Sequence, residues 1–187
     1  VMLGVILATL HQSAFGSLFL IVPQKLPPFW YTPLLPVLFF ISAACAGIAV
    51  VIAESFLCAR FLNQRLTSAL LLELSRAGAA LLWLYLAVRL GDVWWRGAWT
   101  SLAHTPWLAV SAAAELILGG VVPAIWMSAV GWGRSPRGLG AAAVLTIVGV
   151  VLNRVNISWV ALIPASGVVY VPTWMEGVLT LALVLLG

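Results

Sequence analysis

The sequence predicts an all-α fold, a polytopic transmembrane helix bundle, from three observations. The 187 residues are 64% hydrophobic and 7% charged, against roughly 25% charged in a soluble domain. Mean hydropathy is +1.15, and the apolar residues gather into runs near the ~20 that cross a bilayer as a helix. No stretch alternates polar and apolar positions over about ten residues, as a membrane barrel strand must. A water-soluble globule is excluded on composition.

Five full spans are expected, at residues 1–22, 34–62, 66–90, 106–130 and 138–160, with a truncated sixth at 173–187. Together they form one membrane domain. The first has no basic leader and is interrupted by His11-Gln12-Ser13, so it does not fit a signal peptide. It starts without a charged lead-in, and the last span stops without a polar flank. The chain is therefore expected to be a fragment of a longer one.

Pro and Gly punctuate the joints. Pro23, Pro27, Pro28, Pro33 and Pro36 bracket the first loop, residues 24–31. The third loop, residues 91–105, carries Trp94, Trp95 and Trp99 and is predicted to hold a short interfacial helix. Gly131, Gly133 and Pro136 mark the fourth joint; Pro164, Gly167 and Pro172 mark the fifth. Of ten tryptophans, Trp30, Trp94, Trp95, Trp99, Trp107, Trp132, Trp159 and Trp174 fall at joints and read as an interfacial belt. Trp83 and Trp126 read as deeper. Cys45 and Cys58 share one span and read as small packing groups rather than as a metal site.

The net charge of +4 would suggest nucleic acid in a soluble chain. Here the basic residues sit at helix ends and mark topology instead. Lys25, Arg89 and Arg96 follow odd-numbered spans, with Asp92 opposing them; Arg60, Arg65, Arg134 and Arg137 follow even-numbered ones. Four against three places Val1 on the cytoplasmic side and the first loop outside.

The acids carry the functional signal. There are five in the chain, and Glu54, Glu73, Glu115 and Glu176 lie within or at the mouth of apolar runs. An ionised group at the bilayer centre costs about 3 kcal/mol, so proton or ligand handling is the expected reason for keeping it. Glu54 has no basic residue at helical spacing and is the foremost proton-handling candidate; the alternative is a neutral acid bonding a backbone carbonyl. Glu73 and Arg76, three apart, are expected to form a structural ion pair. Glu115 follows Ala112-Ala113-Ala114 and precedes Gly119-Gly120, small residues that let a neighbouring helix approach, and Pro123, which frees a backbone carbonyl and is expected to kink the helix; together they suit a polar cavity wall. Asn153 and Asn156 share a helix face and can cross-link helices; Arg154 either snorkels or anchors an anionic or carbonyl group. His11 is either a ligand or proton-relay group or an interhelical hydrogen-bonding one. Glu176 opens its span, where an acid favours the helix N-terminus. With His104 as the only other histidine, and that in a loop, no haem is expected. No phosphate loop, metal cluster or nucleophile motif is present.

Several segments resemble the NrfD/PsrC (polysulfide reductase) family of membrane subunits, with the HybB-type branch that serves quinone-reactive nickel–iron hydrogenases nearest. They are Thr9-Leu10-His11-Gln12-Ser13-Ala14-Phe15-Gly16-Ser17-Leu18, Pro28-Phe29-Trp30-Tyr31 with Leu34-Leu35-Pro36, Val51-Ile52-Ala53-Glu54-Ser55, Asn153-Arg154-Val155-Asn156 and Tyr170-Val171-Pro172-Thr173-Trp174-Met175-Glu176. Pro27 stands where that branch tends to carry His, and Ala14 replaces a serine. The resemblance implies a multi-pass subunit of the bacterial inner membrane, of about ten spans, without haem. It would anchor an iron–sulfur subunit on the periplasmic side and pass electrons between quinone, menaquinone in type, and a large catalytic subunit, either a nickel–iron hydrogenase or a molybdenum enzyme. This chain would match the later helices, with much of the quinone pocket in the earlier ones. His11, Glu54, Glu115 and Arg154 are the quinone-binding or proton-handling candidates. Two rival readings are a proton-coupled transporter and a passive membrane anchor.

Overall fold

The computed structural model describes residues 2–21, 23–62, 68–103, 105–131, 138–166 and 173–186. Arg65, His104, Trp132, Gly133, Arg134, Pro136, Arg137, Gly167, Tyr170, Val171 and Pro172 lie outside the described residues. The described chain is helical, with no strand among these residues.

Helix α1, Met2–Leu18, tightens into a 3₁₀ turn, Phe19–Ile21, just before Pro23. A second 3₁₀ turn, Pro23–Lys25, opens the first loop. Helix α2, Leu35–Phe61, begins with Pro36 in its first turn, where the missing N–H costs nothing. Helix α3, Ser68–Trp95, leads to a short α4, Thr100–Ala103. Helix α5, Pro106–Leu116, runs through a π-helical turn, Ile117–Val121, into α6, Val122–Gly131. Helix α7, Leu139–Ser158, is followed by a 3₁₀ turn, Val160–Leu162, then α8, Ile163–Ser166, and α9, Trp174–Leu186.

Four described helical stretches are long and apolar enough to cross a membrane: Leu35–Phe61, Ala69–Trp95, Pro106–Ala129 and Leu139–Leu162. Sequence predicted five. The first run is not among the four; within it Leu10–Ile21 is described as a shorter apolar helix. The third span also differs. It runs on to Trp95 instead of ending at residue 90, because Asp92 pairs with Arg96 one turn later and carries the helix on. Gly97, at φ +62, then supplies the left-handed turn that ends it. Arg89 lies well inside this helix and is buried.

The bundle is a ring. α2 packs on α3 and α7, α3 packs on α6, α6 packs on α7, and α1 lies against α2. Small residues set the closest approach. A Cβ on Gly119 or Gly149 would overlap the other's Cα, so the two backbones touch where the π turn meets α7, the membrane use of small residues. One core, with Cys45, Ala49, Ile52, Leu82, Leu86 and Met127, fills the ring. A second, with Phe29, Trp30, Leu35, Val93, Leu108 and Ile157, lies at the end that carries the first loop. Both cysteines are free thiols.

Candidate functional site

The site follows from the Gly119–Gly149 contact. α5 and α7 run antiparallel across it, so residues equally spaced on either side face each other. One turn from the contact, Glu115 meets Asn153. One turn further, Ser111 meets Asn156. Asn153 Nδ2 donates to Glu115 Oε1 at 2.6 Å, and Asn156 Nδ2 donates to Oε2 at 2.8 Å. Ser111 Oγ donates to Asn156 Oδ1 at 2.6 Å and fixes that amide. The cross-linking role expected of the two asparagines is thus realised on one acceptor.

The third donor comes from the first loop. Trp30 Nε1 donates to Glu115 Oε2 at 3.1 Å. Trp30 is fully buried, not in the interfacial belt where its position at a joint placed it. The loop is folded into the bundle and clamped there. Trp30 and Tyr31 N–H groups turn back onto Pro27 O. Thr32 Oγ1 donates to Asp92 Oδ1 at 2.9 Å, and Arg96 Nη1 donates to Pro28 O at 2.8 Å.

Glu115 is therefore a carboxylate at membrane depth, 4% exposed, held by three neutral N–H donors and in ion-pair contact with no described cation. Beside it is a cavity of about 20 Å³ walled by Ser42, Cys45, Tyr85, Gly119 and Asn153, room for about one water.

Arg154 stands one residue beyond Asn153 and faces the other way. Its Nη1 donates to Asn153 Oδ1 at 3.0 Å. Its Nη2 donates to Ser42 Oγ at 2.9 Å, to Phe39 O at 3.1 Å and to Gln12 Oε1 at 3.4 Å. The guanidinium carbon lies 3.5 Å from the centroid of the Phe39 ring. Arg154 does not snorkel to water; it turns inward and ties α1, α2 and α7 together. It also borders an open groove of about 290 Å³, walled by Gln12, Phe15, Phe19, Phe39 and Ser158.

The structure brings Glu115 and Arg154 into one network through Asn153. It leaves two sequence candidates outside it. Glu54 is exposed on α2, on the same side as Val50 and Leu57. His11 is exposed on α1, edge-on to Phe15 with ring centroids 4.9 Å apart. In the His11-Gln12-Ser13 group, Gln12 is the residue that reaches the network. Glu73 and Arg76 both lie exposed on α3, three residues apart. Glu176 Oε2 accepts from Thr173 N at 2.9 Å, at the start of α9, as an acid at a helix N-terminus should. Among the described residues no three His, Cys, Asp or Glu gather as a metal site.

Comparison with known proteins agrees with this architecture. The sequence matches the family described as "Polysulphide reductase, NrfD" over residues 1–168. It is 36% identical over 186 residues to a protein of Nitratidesulfovibrio vulgaris, covering 92% of this chain and 46% of the relative. It is 27% identical over 185 residues to the "Probable Ni/Fe-hydrogenase 2 b-type cytochrome subunit" of Escherichia coli K12, covering 97% of this chain and 47% of the relative. The chain thus spans about half the length of the curated relatives it matches. No solved structure matches it. One expectation is overturned here. The description of the Escherichia coli relative as a b-type cytochrome subunit points to haem, against the expectation of none. That expectation counted only the histidines of this chain.

Proposed function

The chain belongs to the NrfD (polysulphide reductase) family, and from that premise we propose that it forms part of the integral membrane subunit of a respiratory oxidoreductase. In this reading the subunit anchors an iron–sulfur subunit at the first-loop end, on the periplasmic face of the bacterial inner membrane. It couples that subunit to the quinone pool, with menaquinone as the carrier. The catalytic subunit beyond is a hydrogenase or a molybdenum enzyme.

The observation that supports it best is Glu115. Reducing a quinone takes up two protons with two electrons, and oxidising a quinol releases them. A group that exchanges protons inside a membrane must be titratable, screened from lipid and not locked into one charge state by a cation. Glu115 has all three properties, and the one-water cavity gives a proton a place to enter or leave. Asn153, Asn156 and Trp30 hold the carboxylate in place, and Arg154 acts as a positioning residue on Asn153. His11 and Glu54 face outward from the helices described and would serve at the surface they present. If a haem belongs to the whole subunit, it would supply one-electron transfer. His11, the one imidazole among the described residues and exposed on α1, is the side chain of this stretch that would help to hold it.

The test is Glu115→Gln in the complete complex. Quinone-linked turnover should fall on the order of 10²-fold, the usual contribution of a positioned acid or base, while dye-linked activity of the catalytic subunit and assembly persist. Glu115→Asp should recover part of the loss. Unchanged quinone turnover in a normally assembled Glu115→Gln complex removes Glu115 from the chemistry. The same result would favour a second reading, motivated by the full set of donors on Glu115: an anchor in which this network only locks α5, α7 and the first loop together.

A further inference from the structure

The groove beside Arg154 is not used by the reading above. Every acceptor of the guanidinium is neutral: an asparagine, a serine, a glutamine and a backbone carbonyl. No described carboxylate lies in ion-pair contact with it, and its Nε makes no hydrogen bond among the described residues. An arginine cannot shed its charge, so a cation with no direct ion-pair partner among the described residues lines an open groove; its nearest network acid, Glu115, is reached only through Asn153. The remaining lining fits an amphiphile. Phe15, Phe19 and Phe39 give an apolar wall, with Phe19 and Phe39 centroids 6.2 Å apart, and Gln12 and Ser158 add polar edges. The depth also fits. Arg154 is four residues, about 6 Å, from the end of α7 at Ser158, and exposed Trp159 follows. Aromatic side chains of this kind mark head-group level, and basic pockets between membrane helices take anionic lipid heads.

We infer that the groove between α1, α2 and α7 binds an anionic phospholipid, its phosphodiester on Arg154 and its acyl chain along Phe15 and Phe19. This rests on the membrane placement of the chain and not on proton handling by Glu115.

The experiment uses the complete complex, delipidated in mild detergent and titrated with mixed micelles of dioleoylphosphatidylglycerol or dioleoylphosphatidylcholine. Binding is read from the rise in melting temperature. The phosphatidylglycerol form should bind about fivefold tighter, the size of one basic residue at a membrane surface. Arg154→Gln should abolish that preference, and Arg154→Lys should keep most of it. If Arg154→Gln fails to assemble, Phe15→Trp is the second variant. It narrows the groove without touching the Arg154 hydrogen bonds, and should weaken phosphatidylglycerol binding while lipid-free melting is unchanged. Equal response to both lipids, an unaltered preference in Arg154→Gln, or undiminished binding in Phe15→Trp overturns the assignment. Displacement of the bound lipid by a soluble naphthoquinone also overturns it, giving the groove to the carrier. A Glu115→Gln complex that loses quinone turnover should keep the lipid preference, so the two readings fail separately.

Discussion

Arg89 is 1% exposed, and its Nε and Nη2 have no hydrogen-bond partner among the described residues. Its guanidinium carbon lies 5.0 Å from the centroid of the Phe29 ring. Asp92, one turn on, is taken by Arg96 and Thr32, and Glu115 by Trp30 and the two asparagines. A buried cation without a counter-ion is costly, and an apolar side chain of similar volume is often neutral or stabilising by about 1–4 kcal/mol. Arg89→Met should therefore leave melting of the detergent-solubilised subunit unchanged or raise it. A fall of several degrees would mean that an acceptor outside the described residues holds the guanidinium. Trp30 gives the opposite expectation. Trp30→Phe keeps the ring packing but removes a donor from a buried carboxylate oxygen, a loss of about 1–3 kcal/mol, read as a lower melting temperature.

Among the elements, the contact between the π turn and α7 does the positioning. Glu115 and Asn153 meet because Gly119 and Gly149 let two backbones touch one turn away. Alanine at either glycine overlaps backbone, which cannot move aside as a side-chain tip can. Gly119→Ala and Gly149→Ala should each lower stability by about 1–3 kcal/mol. Gly47→Ala at an exposed position of α2, where a Cβ meets nothing within 4 Å, should raise it by up to about 1 kcal/mol. Thermal unfolding of the three variants side by side checks both signs. The small residues around Glu115 were legible in the sequence, because Gly119-Gly120 and the alanines stand out in a run of large apolar groups. So was the shared face of Asn153 and Asn156, which follows from spacing alone. The inward fold of the first loop was not. Trp30 at a proline-rich joint suits an interfacial belt and a buried plug equally, and only packing against α3 and α5 decides between them. Glu54 and Glu115 look alike in sequence, since a helix surrounded by apolar residues does not reveal which side meets protein.

At the scale of the whole molecule, the burial of Arg89 changes the charge balance that sets orientation. Arg89 had been counted with the loop residues Lys25 and Arg96, giving three basic residues against the four at the opposite end. It is a buried helical residue, and a charge enclosed in the bundle is not one of the flanking loop charges that set topology. The count becomes Lys25 and Arg96 against Arg60, Arg65, Arg134 and Arg137. Arg96 is moreover paired with Asp92. The asymmetry is now two to one, and it predicts that the end with the first loop, Trp94 and Trp95 lies outside. The loop that carries Trp30 to Glu115 would then face outside. The check is accessibility labelling of the full-length subunit in intact cells, with Cys45 and Cys58 replaced by alanine. Lys25→Cys should react with a membrane-impermeant maleimide from outside, and Arg60→Cys only after lysis. The reverse pattern would put the first loop in the cytoplasm, and with it any partner that docks there.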